Sequence, residues 1–304
     1  MRILRYRPDT VGLLTTIAVA AATGLLSAPA DAASGRDRAV HVQQQGALAW
    51  SGTRVTPAAR IGWGLLDAYT EPVAALPPLT GGATVSRGWA GVKVGLVQRR
   101  LGMGSRWESY DAATESAVAG FQRRAGLPAT GRVDQRTWAA LNIGYPWTVD
   151  AWRTMVRQPL TATPAQRVEQ MIWFAEANTG SDYTWGGAGP GQLGFDCSGL
   201  VLQALHSAGL DLTPITVMRH QQPGFRTAAA IYDAPMRHLP VGQRRRGDLL
   251  FWSDSRGHIT HMAIYLGEGR IVESSVSGGG VATRGMRPST ASLRTMPDAV
   301  RPFG

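Results

Sequence analysis

The chain has 304 residues, 44% hydrophobic and 17% charged, which suffices for two ordinary domains with linkers and excludes a mostly solvated tail. Its formal net charge of +10 favours polyanions such as nucleic acid, acidic membrane or anionic wall polymer, without choosing among them. Lys93 is the only lysine, so nearly all of that charge is arginine, and the single cysteine, Cys197, excludes an internal disulfide.

Location comes from the N-terminus. Arg2, Arg5 and Arg7 precede an apolar run from Val11 to Leu26, and Ala28-Pro29-Ala30-Asp31-Ala32 supplies small residues where a signal peptidase cuts. Residues 1–32 are therefore expected to be a secretory signal peptide, cleaved after Ala30 or Ala32. No other segment approaches the roughly 18 apolar residues of a membrane span. The mature chain is expected to be secreted, with no stable membrane insertion, so nucleic acid is not an expected partner. Residues 33–86 are an uncertain N-terminal segment and linker, in which Ala58 to Tyr69 could form a short helix.

Residues 87–143 predict a small all-α unit. Val94, Val97 and Leu101 share one helical face, as do Ala117, Val118 and Phe121. A third short helix opens at Asp134 or Gln135 and holds Thr137, Trp138 and Leu141, after the breaker-rich turn Gly126 to Gly131. With no nucleophile beside a base, this unit is expected to bind and not to catalyse. The ordered set Val97-Gln98-Arg99-Arg100-Leu101, Thr114…Phe121-Gln122 and Gly126-Leu127…Gly131-Arg132-Val133…Trp138…Leu141 resembles the three-helix peptidoglycan-binding domain. The first loop, Gly102 to Tyr110, departs from that family's glycine-rich pattern, and Phe121 and Trp138 are read as core.

Residues 144–164, with Pro146, Pro159 and Pro164, read as a linker, and residues 165–304 as the second domain. Ala165 to Ala177 is an amphipathic helix with Val168, Met171, Ile172 and Ala175 at helical spacing. Leu200 to Leu205 reads as a buried helix that starts at Cys197. Leu249–Trp252, Met262–Leu266 and Arg270–Glu273 read as strands, giving an α+β order of helices followed by antiparallel sheet.

Chemistry concentrates at Cys197. At a helix start, unpaired amides and the helix dipole favour a thiolate, and such placement can lower a thiol from about 8.5 into the range of roughly 3.5–7.5. A cysteine nucleophile also needs a base. His206 lies too far along the same helix, about 13 Å at about 1.5 Å per residue, His41 is outside the domain, and His220 and His238 read as surface residues. His261 opens a strand whose return arm carries Glu273, and a turn centred near Gly267 would oppose the two directly, about 5 Å apart. His258, in the preceding loop, is the rival base. No metal-ligand spacing stands out and no cofactor is expected.

Tyr183…Trp185-Gly186-Gly187, Asp196-Cys197-Ser198-Gly199-Leu200, Gly247-Asp248-Leu249…Phe251-Trp252 and His261…Ile264-Tyr265-Leu266-Gly267 together resemble the NlpC-type cell-wall peptidases, a papain-like group, across roughly residues 165–285. The resemblance implies Cys197 as nucleophile, His261 as base and residue 273 as third member, where that family most often has histidine and this chain has glutamate. It places Tyr183, Asp196 and Ser198 at the substrate pocket and makes Arg246-Gly247-Asp248 part of the fold instead of an adhesion tripeptide. The expectation is a secreted, wall-associated, monomeric endopeptidase acting on peptidoglycan stem peptides at the bond from γ-D-glutamate to the diamino acid. An N-acetylmuramoyl-L-alanine amidase on the same fold and an inactive wall-binding protein are the alternatives.

Overall fold

Three short helices open the described part of the chain: α1 (Val92–Arg100), α2 (Ala112–Arg124) and α3 (Gln135–Leu141). This is a computed structural model, and it describes residues 82–104, 108–210, 212, 226–290 and 292–304. All of them belong to one unit of the fold, Ser34–Gly304. The expected signal peptide, the helix expected at Ala58 to Tyr69, His41 and His220 lie outside the described residues. Among the described residues no helix is long and apolar enough to cross a membrane.

The helix starts follow from local chemistry. Asp111 and Asp134 occupy the N-cap positions of α2 and α3, and their carboxylates accept the N–H groups of Thr114 and Thr137, each at 2.8 Å. The buried stripe of α2 is Thr114, Val118 and Gln122, so two of its three members are polar, and Phe121 is only half-buried. That face is rotated from the expected Ala117–Val118–Phe121 set because Gln122 does structural work. Its amide donates to Arg132 O and Thr137 Oγ1, and its carbonyl accepts from Gly131 N–H. Gln98 donates likewise to Ser109 O and Thr114 Oγ1. Gln122 thereby satisfies the buried Gly131 N–H, and both glutamines hold partly buried backbone carbonyls. Trp138 is core, as expected.

Lys93 is fully buried. Its ammonium donates to Ala83 O at 2.8 Å, lies 3.4 Å from Asp150 and sits 3.1 Å above the Trp147 ring. Burial lowers its pKa to about 8, against the opposing pull of Asp150. Asp150 belongs to the stretch read as a linker, and that stretch is bound down. Val149, Asp150, Ala151 and Trp152 are all buried. Gln203 donates to Trp152 O at 3.1 Å and accepts from Thr154 N–H at 2.9 Å.

The second part pairs helices with a sheet. Helix α4 (Pro164–Ala177) starts at a capping box between Thr163 and Gln166, with Pro164 in the first turn. Helices α5 (Cys197–Ser207) and α6 (Ala228–Tyr232) follow. The strands are β1 (Arg237–Pro240), β2 (Leu249–Ser253), β3 (Ile259–Gly267), β4 (Arg270–Ser275), β5 (Gly280–Gly285), β6 (Arg294–Thr295) and β7 (Asp298–Arg301). They form one antiparallel sheet in the order β1-β7-β2-β3-β4-β5, with β6 paired to β2. Residues alternate between its faces. Leu249, Phe251, Met262, Ile264 and Val272 pack with Leu200, Val201 and Leu205 of α5. Leu250, Trp252, Ala263, Tyr265 and Ile271 form a second core on the opposite face. Each large apolar side chain so buried contributes about 1.5–3 kcal/mol.

Gly247 and Asp248 lead into β2, and Asp248 is buried under a two-pronged contact from Arg301 at 2.8 and 2.8 Å, so the tripeptide is part of the fold. The β3–β4 hairpin turns later than expected. Ile264 pairs with Val272 and Tyr265 with Ile271, and a bulge intervenes before Gly267 pairs with Arg270. Continuing that register puts Glu273 across from Ala263 and diagonal to His261, not directly opposite it.

Candidate active site

Asp196 caps α5, accepting Gly199 N–H at 2.6 Å, and so places Cys197 in the first helical position. Gly199 is required by a close approach, because a Cβ there would stand 2.0 Å from Gly187 O. The helix start and the loop Tyr183–Gly187 therefore lie in direct contact. Cys197 is half-buried, and the backbone amides of Met262 and Ser198 favour its anionic form. Met262 follows His261, so the thiol sits against β3 at the histidine position. The rival His258 is exposed and tied into a turn, with its N–H and ring both on Asp254. His206 is buried in the last turn of α5, and His238 is exposed on β1.

The ring of His261 is held on two sides. Nε2 lies 2.5 Å from Glu273 Oε2, and the Trp252 indole is tilted against it with centroids 5.6 Å apart. Glu273 is fully buried, yet burial, which would raise its pKa, is outweighed by hydrogen bonds from His261 and Arg287 and by their charges. Its carboxyl is held down at about 2. An ionised carboxylate can only accept, so Nε2 carries the proton and Nδ1 is left as the acceptor of the neutral ring.

The thiol departs from expectation. Burial and the neighbouring Asp196 carboxylate push Cys197 up to about 12, overriding the Met262 and Ser198 amides and the Arg226 charge. The helix start alone does not generate a thiolate here, because burial first, and the Asp196 carboxylate second, oppose it. A thiolate therefore needs the proton to pass to an imidazole.

Asp196 and Ser198, expected at the substrate pocket, face inward. Their exposures are 6% and 4%, and both are taken by Arg226, which reaches Asp196 Oδ1 at 2.7 Å, Oδ2 at 3.0 Å and Ser198 Oγ at 2.8 Å. Arg226 also donates to Gly187 O at 3.2 Å, tying the capping residue to the loop. Tyr183 keeps part of its surface open; burial raises its hydroxyl pKa, with further contributions from Asp196 and Cys197. Arg226, Arg284 and Arg287 were not singled out from the sequence. Arg284 lies in β5 and Arg287 two residues past its end, and no local pattern marks either of them.

The helical unit packs against the loop that carries Trp185. Glu108 Oε2 accepts the N–H of exposed Trp185 at 3.3 Å, and a Cβ on Gly186, at φ +70°, would touch the backbone of Ala90 and Gly91 at 3.0–3.1 Å. Leu193 is buried in the core of the helical unit.

Glu273 carries a pH signature. A carboxyl that ionises at about 2 when folded, against an ordinary value of 4.5, stabilises the fold fully above about pH 4.5. That contribution, about 3 kcal/mol, is lost as pH falls from there through about 2. Denaturant midpoints at pH 7 and pH 3 should diverge more for the wild type than for Glu273→Gln. Equal acid sensitivity in the two proteins would refute this assignment.

Comparison with known proteins supplies the relatives. The NlpC/P60 family matches residues 180–298, and the putative peptidoglycan binding domain matches residues 94–141. The chain is 30% identical over 224 residues to the peptidoglycan endopeptidase RipB of Mycobacterium tuberculosis, covering 65% of this chain and 87% of that protein. It is 34% identical over 120 residues to the probable endopeptidase YafL of Escherichia coli, covering 39% and 41%. Against the solved structure of the RipB peptidoglycan hydrolase the TM-score is 0.37 at 24% identity, over 69% of this chain and 90% of that one.

Proposed function

The chain belongs to the NlpC/P60 family of cysteine peptidases, and on that footing we propose that it is a secreted, wall-associated endopeptidase cutting peptidoglycan stem peptides between γ-D-glutamate and the diamino acid. Cys197 is the nucleophile, His261 the base and Glu273 the group that orients the ring. The observation that carries this reading is the arrangement of a helix-start thiol against Met262, with the neighbouring His261 bound at Nε2 by a buried carboxylate.

In the reaction the Cys197 proton passes to His261 Nδ1 as sulfur attacks the amide carbonyl. The negative charge that develops on the carbonyl oxygen is stabilised by the Cys197 backbone N–H at the helix start. Glu273 supports the imidazolium, which then protonates the leaving amine, releasing one fragment and leaving a thioester. Water, deprotonated by His261, hydrolyses the thioester and restores the thiol. Tyr183 and Trp185 line the substrate side, while Asp196 and Ser198 shape the pocket floor through Arg226. The helical unit holds the enzyme on its polymer, raising local substrate concentration, and its packing against the Trp185 loop fixes the cleft relative to the bound strand.

Mass spectrometry of purified peptidoglycan, incubated with the protein or with Cys197→Ser, tests the reading. Fragments cut within the stem peptide by the wild type alone are expected. Release of the whole stem from muramic acid would make it an amidase, and no release would leave a wall-binding protein.

A further inference from the structure

The carboxylate behind His261 is more heavily held than orientation alone requires. Arg287 Nε reaches Glu273 Oε2 at 2.9 Å and Oε1 at 3.1 Å, and its Nη2 also bonds Oε1. The same guanidinium donates to Ser275 Oγ at 2.9 Å and Ser277 Oγ at 3.0 Å, which fixes its direction. Arg284 adds a second positive charge, with Nε 3.0 Å from Oε1 as an ion pair outside hydrogen-bond alignment. Residue 287 reaches the other wall of the ring as well, since the Trp252 indole N–H donates to Arg287 O at 3.3 Å. One residue thus secures both the carboxylate and the indole that flank His261.

We propose that Arg287 is a positioning residue for the Cys197–His261 pair: it holds Glu273 against Nε2 and, with Arg284, offsets that carboxylate's charge at the ring. Two guanidiniums facing one carboxylate leave the far side of His261 net positive. A third member that is an acid thereby orients the ring without presenting a bare negative charge to it. Among the described residues, the other groups around the pair are Asp196 and Arg226 beside the thiol, and Tyr183 and, farther off, Glu108. Asp196 and Arg226 offset each other, which leaves Arg284, Arg287 and Glu273 with one net positive charge behind the ring.

The inference rests on Cys197 and His261 being the reacting pair, and its test does not depend on peptidoglycan cleavage. Cys197 is the only cysteine, so alkylation of the full chain by iodoacetamide, followed by intact mass across pH, reads that thiol alone. Removing a nearby positive charge makes every proton of the coupled pair harder to remove. Arg287→Gln is expected to move the alkylation midpoint to higher pH by up to about one unit, the scale of one charge felt through the His261–Glu273 pair. Arg287→Lys keeps the charge and should restore the wild-type midpoint to within about a quarter of a unit. A purely structural role would lower the melting temperature and leave the midpoint in place, so an unmoved midpoint in folded Arg287→Gln overturns the proposal. If Arg287→Gln does not fold, Arg284→Gln decides by the same criterion. Normal alkylation without peptidoglycan cleavage would count against the endopeptidase reading and not against this one.

Discussion

Cys197→Ala should abolish stem-peptide cleavage, lowering kcat by on the order of 10⁴-fold or more, because no other group in the site can form the thioester. The chain offers no second thiol to take over. The melting temperature should stay within about 3 °C of wild type, since losing one sulfur atom at a half-buried position with no ion-pair partner is a small change. Binding to intact peptidoglycan should persist through the helical unit. Residual hydrolysis within tenfold of wild type would place the chemistry elsewhere and remove Cys197 as nucleophile. High-performance chromatography of released muropeptides gives the rate, and a pelleting assay gives the binding.

The largest stability effect is expected at Arg226. Its guanidinium and the Asp196 carboxylate are both nearly closed to water, and they meet through two hydrogen bonds at 2.7 and 3.0 Å. Arg226→Met leaves that carboxylate buried and uncompensated, at a cost of about 3–5 kcal/mol. For a domain of this size that corresponds to a melting temperature lower by roughly 6–20 °C. Because Asp196 also caps α5, the loss should spread to the helix that carries Cys197. The double variant Arg226→Met, Asp196→Asn removes both charges and should recover part of the loss, since the penalty lies in the orphaned charge. A single variant that melts within about 2 °C of wild type, the scale of small surface changes, would show the pair to be energetically idle.

How much of this was legible in the sequence depends on where the stabilising contacts come from. The helix behind Cys197 was readable because Leu200, Val201 and Leu205 mark a buried face locally, and Asp196 is a good capping residue. The β2–β3–β4 run was readable from Leu249–Trp252 and Met262–Leu266, which are apolar on both faces because cores lie on both sides. Strands β1, β6 and β7 were not, since segments of two to four residues such as Arg294–Thr295 carry no periodicity and exist only through pairing with β2 and each other. The hairpin offset escaped for a related reason, because the bulge at Leu266 leaves no mark in composition. At the candidate site, the proposed thiol, imidazole and carboxylate could be named from their order in the chain. The arginines could not, for Arg226 lies 30 residues from Asp196 and Arg287 lies 14 from Glu273. The rise of the thiol pKa escaped as well, since it depends on burial and on which charges the fold gathers.

Lys93 has a practical consequence. The only side-chain amine of the protein is shut beneath Trp147, in the unit that precedes the peptidase, and the only thiol stands at the start of α5. An amine acylator can reach Lys93 only when the helical unit opens, whereas Cys197 reports on the other part of the chain. Dual labelling with one acylating and one alkylating reagent, read by peptide mass at Lys93 and Cys197 so that the chain's α-amine is not counted, would time the opening of each part within the same population of molecules.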